Sequence, residues 1–258
     1  GAITVLSRED GSGTRGAFIE LLGIEQKDAD GNKMDMTIDT AEITNSTSVM
    51  MTTVAGNTNA IGYISLGSLD ASVKALNVDG VAATVDTVKD GSYAVARPFN
   101  VATVGEPEGL AADFLNFIMS DEGQAVVEEN GYVSQGSTGA FEGELPEGSI
   151  TVGGSSSVTP VMEKLAEAYK AINTGATIEV QQSDSTTGMT SALDGSYDIG
   201  MASRELKDTE LESGLVPTVI AMDGIAVIVN QEYPVTDISA DQIMQIYTGA
   251  ITDWSEIQ

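Results

Sequence analysis

The chain has 258 residues, with 11 Lys and Arg against 39 Asp and Glu, a formal charge of −28, and neither histidine nor cysteine. Disulfides, thiolate nucleophiles, Cys/His zinc sites and imidazole acid–base catalysis are therefore excluded. The charge also repels nucleic acid and anionic membranes and, taken alone, argues against a small anionic ligand.

Short apolar runs alternate with helical periodicities, the pattern of an α/β fold. In chain order, strand patterns fall at 3–6, 60–64, 81–84, 151–152, 177–181, 219–221 and 225–230. Helical patterns fall at 14–22, 46–55, 110–119, 122–129, 160–171, 189–193 and 240–247. Phe18, Leu21 and Leu22 share a face of the first helix. In the fifth, Val161, Leu165, Ala168 and Ile172 keep a 3.6-residue period, and Pro160 suits the first helical position, where no N–H is needed. The chain opens on a strand pattern rather than a signal-peptide pattern, and no run approaches the roughly 18 apolar residues of a membrane span. The length allows one large domain or two of about 130 residues. Residues 135–148 have linker composition, fitting a domain linker or a surface loop. Gly1-Ala-Ile-Thr-Val and Gly148-Ser-Ile-Thr-Val each precede a small polar loop and a helix, a weak echo that suggests two similar lobes.

The loops carry the chemistry. Ser7-Arg-Glu-Asp-Gly-Ser-Gly-Thr-Arg-Gly16 lies between a strand and a helix, where free N–H groups and the helix dipole favour an anion. Ser12 and Thr14 add hydroxyl donors. Arg8 can fork onto two oxygens, and Asp10 is near enough in sequence to hold its guanidinium. Gly11, Gly13 and Gly16 also spell a dinucleotide fingerprint. The acidic residue expected about 20 positions on falls in the turn at Asp28-Ala-Asp-Gly-Asn-Lys33, which argues against that cofactor. Two more small-residue loops precede helices, Gly153-Gly-Ser-Ser-Ser157 and Ser183-Asp-Ser-Thr-Thr-Gly188. Each alone reads as an ordinary cap. Three together favour a shared site for a tetrahedral oxyanion. Asp28, Asp30 and Asn32 imitate a calcium loop with a misplaced glycine and read better as a turn. Tyr63, Tyr247 and Trp254 read first as core or hinge packing.

In combination, Gly11-Ser-Gly-Thr-Arg after Arg8, Asn59-Ala-Ile-Gly-Tyr-Ile-Ser-Leu66, Phe117-Ile-Met-Ser-Asp-Glu-Gly-Gln124, Asp198-Ile-Gly-Met-Ala-Ser-Arg204 and Ile246-Tyr-Thr-Gly-Ala-Ile-Thr-Asp-Trp-Ser-Glu-Ile257 resemble bacterial periplasmic-type phosphate-binding proteins, the receptors of a phosphate ABC importer. In that family a segment like 149–258 precedes one like 1–135, so this chain resembles a circular permutant with 135–148 bridging the original ends. Permutation is tolerated where termini lie close at the surface. A permuted order would suit an engineered sensor or fusion scaffold; a natural gene in the same order would contradict that origin.

The resemblance implies a two-lobed, type II-like clamshell, each lobe a mixed sheet flanked by helices, with two hinge crossovers near 222–225 and 95–99. One lobe would be 96–224, containing the bridge 136–148. The other would be 1–95 with 225–258, split by the chain ends. Phosphate would sit in the interlobe cleft. Carried over residue by residue, the phosphate ligands would be Ser156, Ser157, Ser185, Arg8, Ser12, Gly13 and Thr14, with Asp10 as the partner of Arg8. One position departs. Where some members have a carboxylate that accepts the proton of hydrogen phosphate and so rejects sulfate, this chain has Arg204, free either to donate to the ligand or to pair with a carboxylate.

The resemblance further implies no catalysis, no cofactor and no metal. It implies a membrane permease as partner, a monomer that binds no nucleic acid, and a periplasmic or extracellular place with lipid anchoring open. The alternatives are a receptor for sulfate, molybdate or arsenate, and a phosphatase with Ser12 or Ser156 as nucleophile. The second lacks a histidine base and any Ser-x-x-Lys arrangement in these loops.

Overall fold

A computed structural model describes residues 1–257. The chain divides into two compact units. Unit 1 comprises 1–10, 14–96 and 224–258, and unit 2 comprises 11–13 and 97–223.

Unit 1 opens with β1 (Thr4–Arg8), α1 (Gly13–Leu21), β2 (Glu25–Lys27), β3 (Lys33–Asp35), β4 (Glu42–Thr44), α2 (Thr47–Ala55), β5 (Ala60–Ser65), β6 (Val73–Ala75), β7 (Asn77–Val78) and α3 (Val85–Lys89). Strand β8 (Ala96–Val104) leads into unit 2. There follow α4 (Gly109–Ile118), α5 (Asp121–Glu129), β9 (Gly148–Ser155), α6 (Thr159–Ile172), β10 (Ala176–Ser183), α7 (Ser185–Asp194), β11 (Ile199–Ala202) and α8 (Asp208–Glu212). Strand β12 (Leu215–Asn230) returns the chain to unit 1, which adds β13 (Asp237–Ile238) and α9 (Ala240–Tyr247).

In unit 1, β1 pairs in parallel with both β4 and β5, and β5 pairs antiparallel with β12, which also takes β6. Leu6, Ile64, Ala226 and Ile228 of these strands meet Met50 and Val54 of α2 in one core. A second nucleus is aromatic. Phe18 stacks on Tyr63 with centroids 3.9 Å apart, and Tyr247 meets Phe18 edge-on at 4.9 Å. Trp254 packs on Tyr233 at 4.3 Å and donates its indole N–H to the Asn59 carbonyl at 2.9 Å. Tyr63, Tyr247 and Trp254 are thus packing residues. Burial pushes the Tyr63 hydroxyl up to about 12, so it stays neutral and serves Ser7 and the Arg8 N–H as a hydrogen-bond partner.

In unit 2 the strand order is β10, β9, β11, β8; the first three run parallel and β8 antiparallel. Helices α4, α5 and α6 pack through Phe114, Phe117, Val127, Val161, Leu165 and Tyr169 onto Val152, Ile178 and Met201. Helix α7 lies against β9 and β11, where side chains leave almost no room. A Cβ at Gly188 would stand 2.7 Å from the Met201 carbonyl oxygen and 2.8 Å from the Gly154 Cα. Glycine there lets helix backbone touch strand backbone.

The pattern at 81–84 is not a strand. Val81 forms only an isolated bridge with Val78, and Thr84 caps α3. The patterns at 219–221 and 225–230 join into the single strand β12. The 135–148 stretch is docked rather than loose. Phe141 meets Phe117 edge-on at 5.4 Å, the Glu144 N–H donates to Asp113 at 2.9 Å, and Asn173 donates to the Pro146 carbonyl at 2.9 Å.

Candidate functional site

Parallel pairing places the carboxyl ends of β9, β10 and β11 at one edge of the unit 2 sheet, with Ser183 opposite Ser155 and Met201 opposite Gly154. In an open α/β sheet this edge is where ligands bind, because the loops and helix starts that follow the strands gather there. Ser156 and Ser157 lead into α6, Ser185 starts α7, and Ser203 follows β11; all four are buried.

The hydroxyls at this edge are linked. The Ser157 N–H donates to Ser155 Oγ at 3.2 Å, and Ser155 Oγ donates to Ser203 Oγ at 2.8 Å. The Ser203 N–H donates to Ser185 Oγ at 3.0 Å. Helix α6 starts at Thr159 with Pro160 second, and its N-cap, Val158, makes no side-chain cap. Helix α7 is capped by Asp184, which accepts the Thr187 N–H at 2.7 Å. The 11–13 segment belongs to this unit as well. The Thr186 N–H donates to the Gly11 carbonyl at 3.2 Å, and a Cβ at Gly13 would run into the Ser185 and Ser203 hydroxyls. Ser12, Gly13, Ser156, Ser157 and Ser185 are therefore carried on one unit. The assembly offers N–H and O–H donors, which suits an oxyanion.

Arg8, Asp10 and Thr14 belong to unit 1. Arg8 is 2 % exposed, and its guanidinium is gripped in a fork by Glu9, with Nε and Nη2 each 2.8 Å from a carboxylate oxygen. The expectation that Asp10 would hold Arg8 is corrected. Asp10 is fully exposed and lies 3.3 Å from Arg15 instead. Arg8 ends β1 and the chain turns at Asp10, so the two do not share a strand face. Arg15 donates to the Arg8 carbonyl at 2.6 Å and pairs with Asp35.

Arg204 pairs with a carboxylate. Its guanidinium forks onto Glu210 of α8 at 2.7 and 3.0 Å, with a longer contact to Thr186 Oγ1 at 3.4 Å. Burial pushes the Glu210 carboxyl up, but the Arg204 guanidinium and the Lys207 N–H outweigh it and hold the group below its usual range. Arg97 escaped the sequence reading. It is buried on β8, bound to Asp223 at 3.1 Å, and donates to the Ser203 carbonyl at 3.2 Å. A buried arginine on a strand is the signal that could have found it, because such a charge demands a partner.

A separate groove of about 620 Å³ lies at the other end of α7, beside Glu106, Glu108, Asp194 and Asp198. Its carboxylates and the helix C-terminus disfavour an anion there. Among the described residues no cluster of three or more His, Cys, Asp or Glu could hold a metal, and no helix is long and apolar enough to cross a membrane.

Two α/β units linked by β8 and β12 match a known class. The profile described as PBP superfamily domain covers residues 1–122 and 136–258. Within that class the phosphate-binding protein PstS 2 of Streptococcus agalactiae serotype V is 55% identical over 258 residues, all of this chain and 88% of the relative. The crystal structure of a phosphate-binding protein of a phosphate ABC transporter from Streptococcus pneumoniae TIGR4 is 46% identical, covers 100% of both chains and superposes with a TM-score of 0.78. The chain belongs to this phosphate-binding branch of the PBP superfamily. The full-length alignment also shows that the same order of segments occurs in a natural streptococcal protein, which removes the engineered-scaffold expectation.

Proposed function

We propose that this chain binds inorganic phosphate and delivers it to the membrane permease of an ABC importer, without catalysing a reaction. The observation that carries the reading is the convergence of buried hydroxyls and helix starts at one sheet edge, in a chain 55% identical to a phosphate-binding protein along its whole length. The proposed ligands are Ser156, Ser157 and Ser185, with Arg8 at the end of β1, Ser12 of the loop that follows, and Gly13 and Thr14 at the start of α1. Arg204 is proposed to act through its pair with Glu210. The charge of −28 does not oppose this. At physiological salt the field of distributed carboxylates is screened over about 8 Å, whereas donors act at contact.

A second reading, a receptor for another tetrahedral oxyanion such as sulfate, molybdate or arsenate, is favoured by one observation: Arg204 stands where a proton-accepting carboxylate would reject sulfate, and it is bound to Glu210. Place follows function, outside the cytoplasmic membrane, with a lipid tether as the finer proposal. The order of segments is proposed to differ from that of the ordinary family member. The Bacillus subtilis PstS aligns over only 116 residues, 44% of this chain and 39% of the relative, at 35% identity. A linear alignment returns such a partial match when two halves come in opposite order. Isothermal titration with phosphate and sulfate between pH 5 and 8 tests the function. Saturable 1:1 heat with phosphate is expected; silence with phosphate alongside binding of sulfate would replace the first reading by the second.

A further inference from the structure

We propose that Ser203 is a positioning residue that makes Ser185 an obligate hydrogen-bond donor toward the bound oxyanion; this rests on the oxyanion reading above and deepens it. Three hydroxyls of unit 2 stand in a row: Ser155 at the end of β9, Ser203 just past β11, and Ser185 at the start of α7. A serine hydroxyl has one proton and two lone pairs. The row begins at the Ser157 N–H, which fills a lone pair of Ser155 Oγ at 3.2 Å. Ser155 then directs its proton to Ser203 Oγ at 2.8 Å. Ser203 Oγ lies 3.3 Å from Ser185 Oγ, a pair in which either hydroxyl can donate, and in the proposed row Ser203 donates, in the direction that Ser155 sets. The Ser203 N–H also donates to Ser185 Oγ, at 3.0 Å. Ser185 Oγ then accepts twice from one residue. Both lone pairs are filled, and its own proton is what remains to offer.

Position and polarity come from the same place. The Ser203 carbonyl accepts from Arg97 at 3.2 Å, and Arg97 is held by Asp223 at 3.1 and 3.3 Å. The carbonyl of the next residue, Arg204, accepts from Asn100 Nδ2 at 3.0 Å. The backbone that follows the Ser203 hydroxyl is thus pinned to β8, and through Arg97 and Asp223 to β12. Gly13, carried on the same unit, lies against the Ser185 and Ser203 oxygens. Ser185 buried in this setting cannot accept a proton from a ligand. It favours a ligand oxygen that accepts, which is the chemistry of a deprotonated tetrahedral oxyanion.

Two measurements test this. Phosphate affinity is measured by calorimetry for the unaltered chain, Ser203→Ala, Ser185→Ala and the double variant, with folding checked by near-UV circular dichroism. Ser203→Ala keeps the N–H and carbonyl and loses only the hydroxyl. It should weaken phosphate roughly tenfold, and the double variant should bind no more weakly than Ser185→Ala, because Ser203 acts through Ser185. An equal loss in both backgrounds, or none in either, overturns the proposal. Neutron diffraction of the deuterated, ligand-free chain should place the Ser203 hydroxyl deuteron on the line to Ser185; a deuteron pointing elsewhere overturns the relay. If the unaltered chain binds no phosphate, the functional reading fails, and the neutron result still decides the direction of the relay.

Discussion

Gly188→Ala isolates what close packing of α7 does for binding. The new Cβ would stand 2.7 Å from the Met201 carbonyl oxygen, where ordinary contact begins at 3.4 Å, so the helix must move away by about 0.7 Å. The neighbouring atoms are backbone and cannot rotate aside. Overpacking of this kind costs about 1–3 kcal/mol. The better helix propensity of alanine returns about 1 kcal/mol, leaving a net destabilisation of about 0–2 kcal/mol. Binding should suffer more than stability. The Ser203 N–H lies 3.0 Å from Ser185 Oγ, and a shift of that size opens the distance to about 3.7 Å, beyond a hydrogen bond. A misplaced Ser185 loses its bond to a charged ligand, about 1.5–3 kcal/mol, or about ten- to somewhat over a hundredfold in Kd. Calorimetry with phosphate and a thermal melt on the same sample read both quantities. Unchanged affinity with an unchanged Tm would refute the argument that these glycines set the position of α7.

Two further outcomes are expected. Arg8→Ala removes the guanidinium and leaves the Glu9 carboxylate without that partner; phosphate affinity should fall by about 2–5 kcal/mol, and calorimetry showing no change would remove Arg8 from the ligand set. Glu210 sits below its ordinary value of 4.5 in the folded chain, so its pairing with Arg204 stabilises the fold above that pH and is lost as pH falls through the folded value. Glu210→Gln should lower the urea midpoint at pH 7 and flatten its decline between pH 5 and 3.5; an unaltered slope would contradict the pairing.

Much of the architecture was legible because it is local. The α9 pattern matches Ala240–Tyr247, and the 46–55 and 110–119 patterns fall within a residue of α2 and α4. Phe18 does face the core, while Leu21 is exposed at the helix end. What escaped depends on distant partners. The composition of 135–148 reads as linker because nothing in it announces Asp113, Phe117 or Asn173, which fix it from α4 and α6. Strand β11 is short, and its Gly200 interrupts the apolar pattern. At the site, the serine loops could be read from small residues ahead of helices. Ser203 could not, because its role arises from Ser155 and Ser185, 48 and 18 residues away. The grip of Glu9 on Arg8 needed the turn at Asp10 to be known.

The way the chain is threaded through its two units has a consequence for synthesis. Apart from 11–13, unit 2 is one uninterrupted stretch, 97–223, whereas unit 1 is assembled from both ends of the sequence. Strand β5 takes β12 as its antiparallel neighbour from Ile225 to Val229. As the chain leaves the ribosome, β10, β9 and β11 have all emerged before β12 supplies that neighbour. Domains fold as units during synthesis, so unit 2 is complete while the 14–96 part of unit 1 still waits, with one edge of β5 open, for Ile225–Val229. The donors carried by the serine loops are therefore in place early, and the burden of a late, long-range strand pairing falls on the unit that carries Arg8.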